Sequence, residues 1–164
     1  RAVALRDFGP ALSPTNAFMT LTGIETLPLR MERHCANAHT VATYLEDHPA
    51  VAWVSYAGLR SSPSFRNKNR YFPNGCGGVF TFGLKGGYAA GTRLVESCTL
   101  LSHLANVGDT RSLILHPAST THRQLTEEQQ IAAGAGPDVV RISVGIETAA
   151  DIIRDLDRAL GAAA

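Results

Sequence analysis

The chain has 164 residues, 45% of them hydrophobic and 18% charged, a balance that supports one sizeable core and excludes a disordered or collagen-like polypeptide. Fifteen Lys and Arg against fourteen Asp and Glu leave a formal charge of +1, so no field of one sign exists to hold a nucleic-acid backbone or an anionic membrane. Cys35, Cys76 and Cys98 are odd in number and widely spaced, which suggests reduced thiols of a cytoplasmic protein rather than a disulfide framework or a structural zinc site. The roughly 20 unbroken apolar residues of a membrane span are absent, as is a charged-then-apolar leader. Arg1 stands where methionine is expected, and the opening stretch reads like the inside of something longer.

Ser13-Pro14 marks a helix start, because a serine hydroxyl caps free N–H groups and proline at the first helical position loses no hydrogen bond. Gly23 is expected to interrupt that helix, with Thr26 offering a second cap. Met31, Cys35, Ala38, Val41, Ala42 and Leu45 then recur at helical spacing until Pro49, a helix of about five turns. Val51 to Tyr56 favours a strand, and Leu59 to Asn74 reads as a polar, basic loop. In Gly78 to Leu84, Phe80, Phe82 and Leu84 alternate onto one face of a half-buried strand. Ala90, Leu94, Cys98 and Leu101 recur as in an amphipathic helix. Ser112 to Leu115 is a short strand, Thr126 with Gln129 resembles a capping box, and Val139 to Val144 returns to strand alternation. A last helix begins near Thr148 and Asp151 and gathers Ile152, Ile153, Leu156 and Leu160 on one side. Strands mixed with helices, without regular βαβ alternation, predict an α+β fold: a small, mostly antiparallel sheet covered on one face by helices.

Chemistry is sparse in this pattern. His34 and His39 are five residues apart on a helix and point about 140° apart, which disfavours a shared metal. His116 and His122 flank Pro-Ala-Ser-Thr-Thr at no familiar zinc spacing, and no Gly-x-Ser-x-Gly elbow occurs. Arg141 stands out. In Val139-Val140-Arg141-Ile142-Ser143-Val144, alternation puts Val140, Ile142 and Val144 toward the core and Arg141 on the other side. A guanidinium on a rigid strand suits a carboxylate clamp, and a solvated surface arginine fits the same pattern equally well.

Several motifs together resemble one family. Leu104-Ala105-Asn106-Val107-Gly108-Asp109-Thr110-Arg111-Ser112-Leu113-Ile114, His116-Pro117-Ala118-Ser119-Thr120-Thr121-His122 and Val140-Arg141-Ile142-Ser143-Val144-Gly145-Ile146-Glu147 are similar to the C-terminal domain of the pyridoxal-phosphate enzymes of cysteine and methionine metabolism. Leu12-Ser13-Pro14 and Thr26-Leu27-Pro28-Leu29-Arg30-Met31-Glu32-Arg33-His34 look like the same family. Asn106-Val107-Gly108-Asp109 and Gln124-Leu125-Thr126-Glu127-Glu128-Gln129 look most like its O-acetylhomoserine sulfhydrylases.

The resemblance implies a fold type I parent, usually a homotetramer, with residues 1–48 as connecting helices and 49–164 as the C-terminal domain. It implies pyridoxal 5'-phosphate in the parent, bound through a lysine upstream of Arg1, since neither Lys68 nor Lys85 matches the family's cofactor-lysine motif. The isolated segment is then expected to hold no cofactor and to be inactive. Arg141 falls on the arginine that binds the substrate α-carboxylate. Asn106 occupies a catalytic position where many relatives carry serine. Arg111 replaces a glutamate that influences substrate choice in the cystathionine lyases, and Thr121 aligns with a threonine near the active-site entrance. The implied substrates are O-acetylhomoserine and sulfide or a small thiol. A cystathionine γ-synthase or lyase, a methionine γ-lyase, and a stand-alone amino-acid-binding or oligomerisation module are the competing expectations.

Overall fold

The computed structural model describes residues 7–9 and 11–163. The chain divides into two compact units at Arg30/Met31. Of the opening stretch Arg1 to Phe8, which prompted the expectation of a longer chain, residues 1–6 lie outside the described residues.

In the first unit, helix α1 (Pro14–Glu25) starts as its sequence requires, with the Ser13 hydroxyl accepting from the Asn16 N–H at 3.2 Å. Gly23 does not interrupt it. The helix carries on to Glu25, because an internal glycine weakens a helix by only about 1 kcal/mol and removes no hydrogen bond. The break falls at Thr26, and Arg30 donates to the Gly23 carbonyl at 2.5 Å. None of α1 is buried, and Phe18, Met19, Leu21 and Ile24 are all exposed.

Helix α2 (Leu27–Glu46) crosses the boundary between the units. From Met31 onward it belongs with the sheet, because His34, Asn37, Ala38, Val41, Ala42 and Leu45 are buried there. The second compact unit thus takes in most of α2 as well as the sheet.

The five strands are β1 (Val51–Ser55), β2 (Val79–Leu84), β3 (Ser102–His103), β4 (Leu113–Leu115) and β5 (Val139–Ser143), in the order β1-β2-β5-β4-β3. β1·β2, β2·β5 and β4·β5 are antiparallel, whereas β3·β4 is parallel. The sheet is therefore mixed, and mostly antiparallel as the alternation suggested. β5 is central, with Phe80 opposite Ile142 and Phe82 opposite Val140. These four side chains are at most 3% exposed, each stabilising the fold by about 1.5–3 kcal/mol through burial.

Helix α3 (Lys68–Tyr71) and a 3-10 turn at Phe65–Asn67 lie within the stretch expected to be loop. Helix α4 (Gly87–Ser97) touches β2 and β5 and packs along α6 (Ala149–Ala163), whose Ile152, Leu156, Ala159 and Leu160 are fully buried. Leu101 shares the spacing of α4 yet lies outside it. The Asp155 carboxylate takes the N–H groups of Thr99, Leu100 and Leu101 at 2.9–3.2 Å and turns the chain out of the helix. Helix α5 (Glu127–Ala132) carries the full capping box between Thr126 and Gln129. No helix among the described residues is long and apolar enough to cross a membrane.

Candidate functional site

The site is built on β5 and on the loop that joins β3 to β4. Because β5 lies between β2 and β4, Arg141 stands opposite Thr81 on one side and Leu115 on the other. Its neighbours Val140 and Ile142 are fully buried, and Arg141 is half-buried on the opposite side. A central strand paired on both edges leaves the Arg141 backbone little freedom, so the guanidinium starts from a fixed point.

That guanidinium donates through Nη2 to the Asn106 carbonyl at 3.4 Å. Among the described residues no carboxylate lies within ion-pair distance of it. A guanidinium carries five N–H donors in a planar fork, and one long bond to a neutral carbonyl leaves the fork open to an anion.

Arg141 and Asn106 are therefore brought together, though through the Asn106 main chain. The Asn106 side-chain oxygen instead accepts from the Val107 N–H at 2.8 Å and holds the local turn. Arg111 turns to its own loop: its backbone N–H reaches Asp109 at 3.0 Å, and its Nε and Nη2 at 3.3 and 3.4 Å. The arginine beside it holds the Asp109 carboxyl below the ordinary carboxylate range. Thr121 bonds the ring of His122 at 2.9 Å and shares no hydrogen bond with the other three among the described residues.

The two buried histidines hold the fold. His34 is buried and gives its Nδ1 proton to the Val144 carbonyl at 2.6 Å, while His39 is exposed on another face of α2. His116 is fully buried, with Nε2 donating to the Pro137 carbonyl at 2.9 Å and Nδ1 meeting Ser119 Oγ at 3.0 Å. Burial lowers its pKa. Among the described residues no cluster of three His, Cys, Asp or Glu could hold a metal.

Three residues absent from the sequence-based site hold its frame. Ser112, Glu147 and Asn37 tie the end of the Asn106 loop to the turn after β5. Their sequence separations are 35 for Ser112–Glu147 and 110 for Asn37–Glu147. No local periodicity announces a partnership at that range.

A pyridoxal-phosphate group requires a lysine and a phosphate cradle. Of the two lysines, Lys68 lies over the Phe65 ring, 4.5 Å from its centroid, and Lys85 donates to the Pro49 carbonyl at 2.6 Å. Among the described residues neither shares a hydrogen bond with Arg141 or its loop, so neither is placed to anchor such a group beside Arg141.

Residues 2–161 match the family model described as Cys/Met metabolism PLP-dependent enzyme. An O-acetyl-L-homoserine sulfhydrylase of Leptospira meyeri is 48% identical over 161 residues, which is 98% of this chain and 36% of the relative. O-acetyl-L-homoserine sulfhydrylase 1 of Thermus thermophilus is 51% identical over 160 residues, covering 98% of this chain and 38% of its own length. A 2.35 Å crystal structure from Campylobacter jejuni, of a protein described as an O-acetylhomoserine (thiol)-lyase, superposes with a TM-score of 0.87. It shares 40% identity, over 97% of this chain and 38% of that one, and carries N'-pyridoxyl-lysine-5'-monophosphate at position 205. The chain thus spans well under half the length of the relatives it matches. Its order along such a longer chain rests on the sequence motifs alone. With a match running through almost every residue, the chain belongs to the PLP-dependent enzymes of cysteine and methionine metabolism.

Proposed function

We propose that this chain is the substrate-carboxylate-binding segment of a longer O-acetylhomoserine sulfhydrylase, which makes homocysteine or a thioether from O-acetylhomoserine and sulfide or a small thiol. The observation that carries the reading is Arg141: a cation on the central strand with an open guanidinium fork and no anionic partner among the described residues. The relatives named as sulfhydrylases favour acetylhomoserine over cystathionine as substrate. Arg111, already satisfied by Asp109, offers nothing to a second ammonium and suits a neutral ester.

In this reading Arg141 receives the substrate α-carboxylate through two parallel N–H bonds and so fixes the orientation of Cα. Pyridoxal phosphate, when bound by the longer protein, supplies an electron sink for the reacting amino acid. Asn106 lines the approach through its main chain. The segment excludes no water alone and is inactive without its lysine-bearing partner segment.

The test is Arg141→Ala and Arg141→Lys in the full-length enzyme. Loss of a charged hydrogen-bond pair raises the KM for O-acetylhomoserine by about tenfold to a hundredfold, with the cofactor absorbance unchanged. Lysine restores charge without the bidentate fork and recovers only part of the loss. An unchanged KM in Arg141→Ala overturns the assignment.

A further inference from the structure

Arg141 and the loop that meets it belong to different strands, and an open guanidinium is useful only if the two keep one geometry. The loop between β3 and β4 is exposed at nearly every position from His103 to Arg111. Its contact with Arg141 is a single 3.4 Å bond, too weak to hold it.

The opposite end of the loop is held differently. The Glu147 carboxylate takes the Ser112 N–H on Oε1 at 2.6 Å and the Ser112 hydroxyl on Oε2 at 2.9 Å. The Ser112 Oγ accepts in turn from the Gly145 N–H at 2.8 Å, and the Ile146 N–H reaches the Thr110 carbonyl at 2.9 Å. Asn37, buried on α2, donates to the carbonyls of Gly145 and Glu147 at 3.0 and 2.8 Å. Ser112 itself is fully buried.

Gly145 shows how closely the two segments approach. A Cβ there would fall 2.4 Å from the Thr110 carbonyl oxygen and 2.6 Å from the Arg111 carbonyl carbon. Both are backbone atoms, so the loop could not yield without moving as a whole. Both oxygens of Glu147 are spent on neutral donors, and among the described residues it has no cationic partner.

We infer that Glu147 and Ser112 are positioning residues. Their carboxylate–serine hook fixes the Asn106–Arg111 loop to the exit of β5 and so sets the distance between that loop and Arg141, through which the substrate is recognised. The inference rests on the carboxylate-binding role proposed for Arg141.

The experiment compares Glu147→Gln, Ser112→Ala and Arg141→Ala in the full-length enzyme, with amide hydrogen exchange of residues 104–112 as a second readout. Glu147→Gln removes the negative charge and replaces one of the two acceptor oxygens with an NH2 donor. The expected result is faster exchange in the loop but not in β2 or β5, with KM for O-acetylhomoserine raised by about tenfold and kcat nearly unchanged. Ser112→Ala reproduces the effect in smaller measure, and Glu147→Gln combined with Arg141→Ala costs less than the product of the two. If Arg141→Ala raises KM while Glu147→Gln accelerates exchange without touching KM, the hook is only structural and the inference fails, with the Arg141 reading intact. If neither variant alters KM, both fall.

Discussion

The helix side of the central sheet and the loop beside Arg141 are held by different physics. Toward the helices, Phe82, Val140, Ile142, Ile152, Leu156 and Leu160 are fully buried and gather in one apolar cluster. Toward Arg141, the β3–β4 loop is exposed and fastened by hydrogen bonds at one end. Apolar packing is non-directional and distributed over many contacts, so it sets how stable the fold is. Hydrogen bonds to charged groups contribute about 1.5–3 kcal/mol each, and they also fix direction. The difference teaches where to expect function: the exposed loop, not the apolar core, lies beside the cation that has no anionic partner among the described residues.

The sharpest way to break that division is to open a cavity on the helix side. Leu156→Ala removes a fully buried side chain from α6 and should destabilise the chain by about 3 kcal/mol, read as a shift in the urea unfolding midpoint. A loss below about 1 kcal/mol would mean that the helix layer is loosely packed and that the comparison fails.

Asp155 sharpens the comparison, because it places a directional device on the helix side. Burial by itself would raise its carboxyl, but bonds from Arg158 and from Thr99 and Leu100 outweigh that and hold it at about 2, against 3.8 for a free group. A folded-state value below the unfolded one gives stability that is present above about pH 4 and lost as pH falls toward 2, about 2 kcal/mol in all. Acid titration of the unfolding free energy should show this loss, and Asp155→Asn should flatten it. An identical acid profile in the variant would remove Asp155 from the account.

Where one face of an element is buried, the sequence is readable: the alternation of β2 and β5 and the stripe of α6 are direct consequences of a core on one side. Arg141 is legible for the same reason, as the polar position between Val140 and Ile142. Leu101 misleads because spacing of three or four residues cannot reveal that Asp155, fifty-four residues later, captures its N–H. The turns at Phe65–Tyr71 bury no residue and so leave no apolar stripe to read. The hook of Ser112 on Glu147 depends on β4 lying beside β5, a fact of topology rather than of local pattern. Gly145 is its one local sign, and a lone glycine after a strand marks an ordinary turn or bulge just as well.

The smallest effect on stability belongs to Arg111→Ala. The Arg111 side chain is 65% exposed and shares Asp109 with its own backbone N–H. Exposed pairs of this kind are screened by water and salt, and the backbone bond to Asp109 survives any substitution at 111 except proline. The melting temperature should therefore stay at the wild-type value, at low and at high ionic strength. On the role proposed for Arg141, the same variant in the full-length enzyme should leave that arginine free to take a carboxylate, so the KM for O-acetylhomoserine should move far less than in Arg141→Ala. A fall of several degrees in melting temperature would show that the Asp109–Arg111 pair carries stability for the loop side. The loop could then no longer be treated as a surface held by its hook alone, and its chemistry and its folding would have to be altered together.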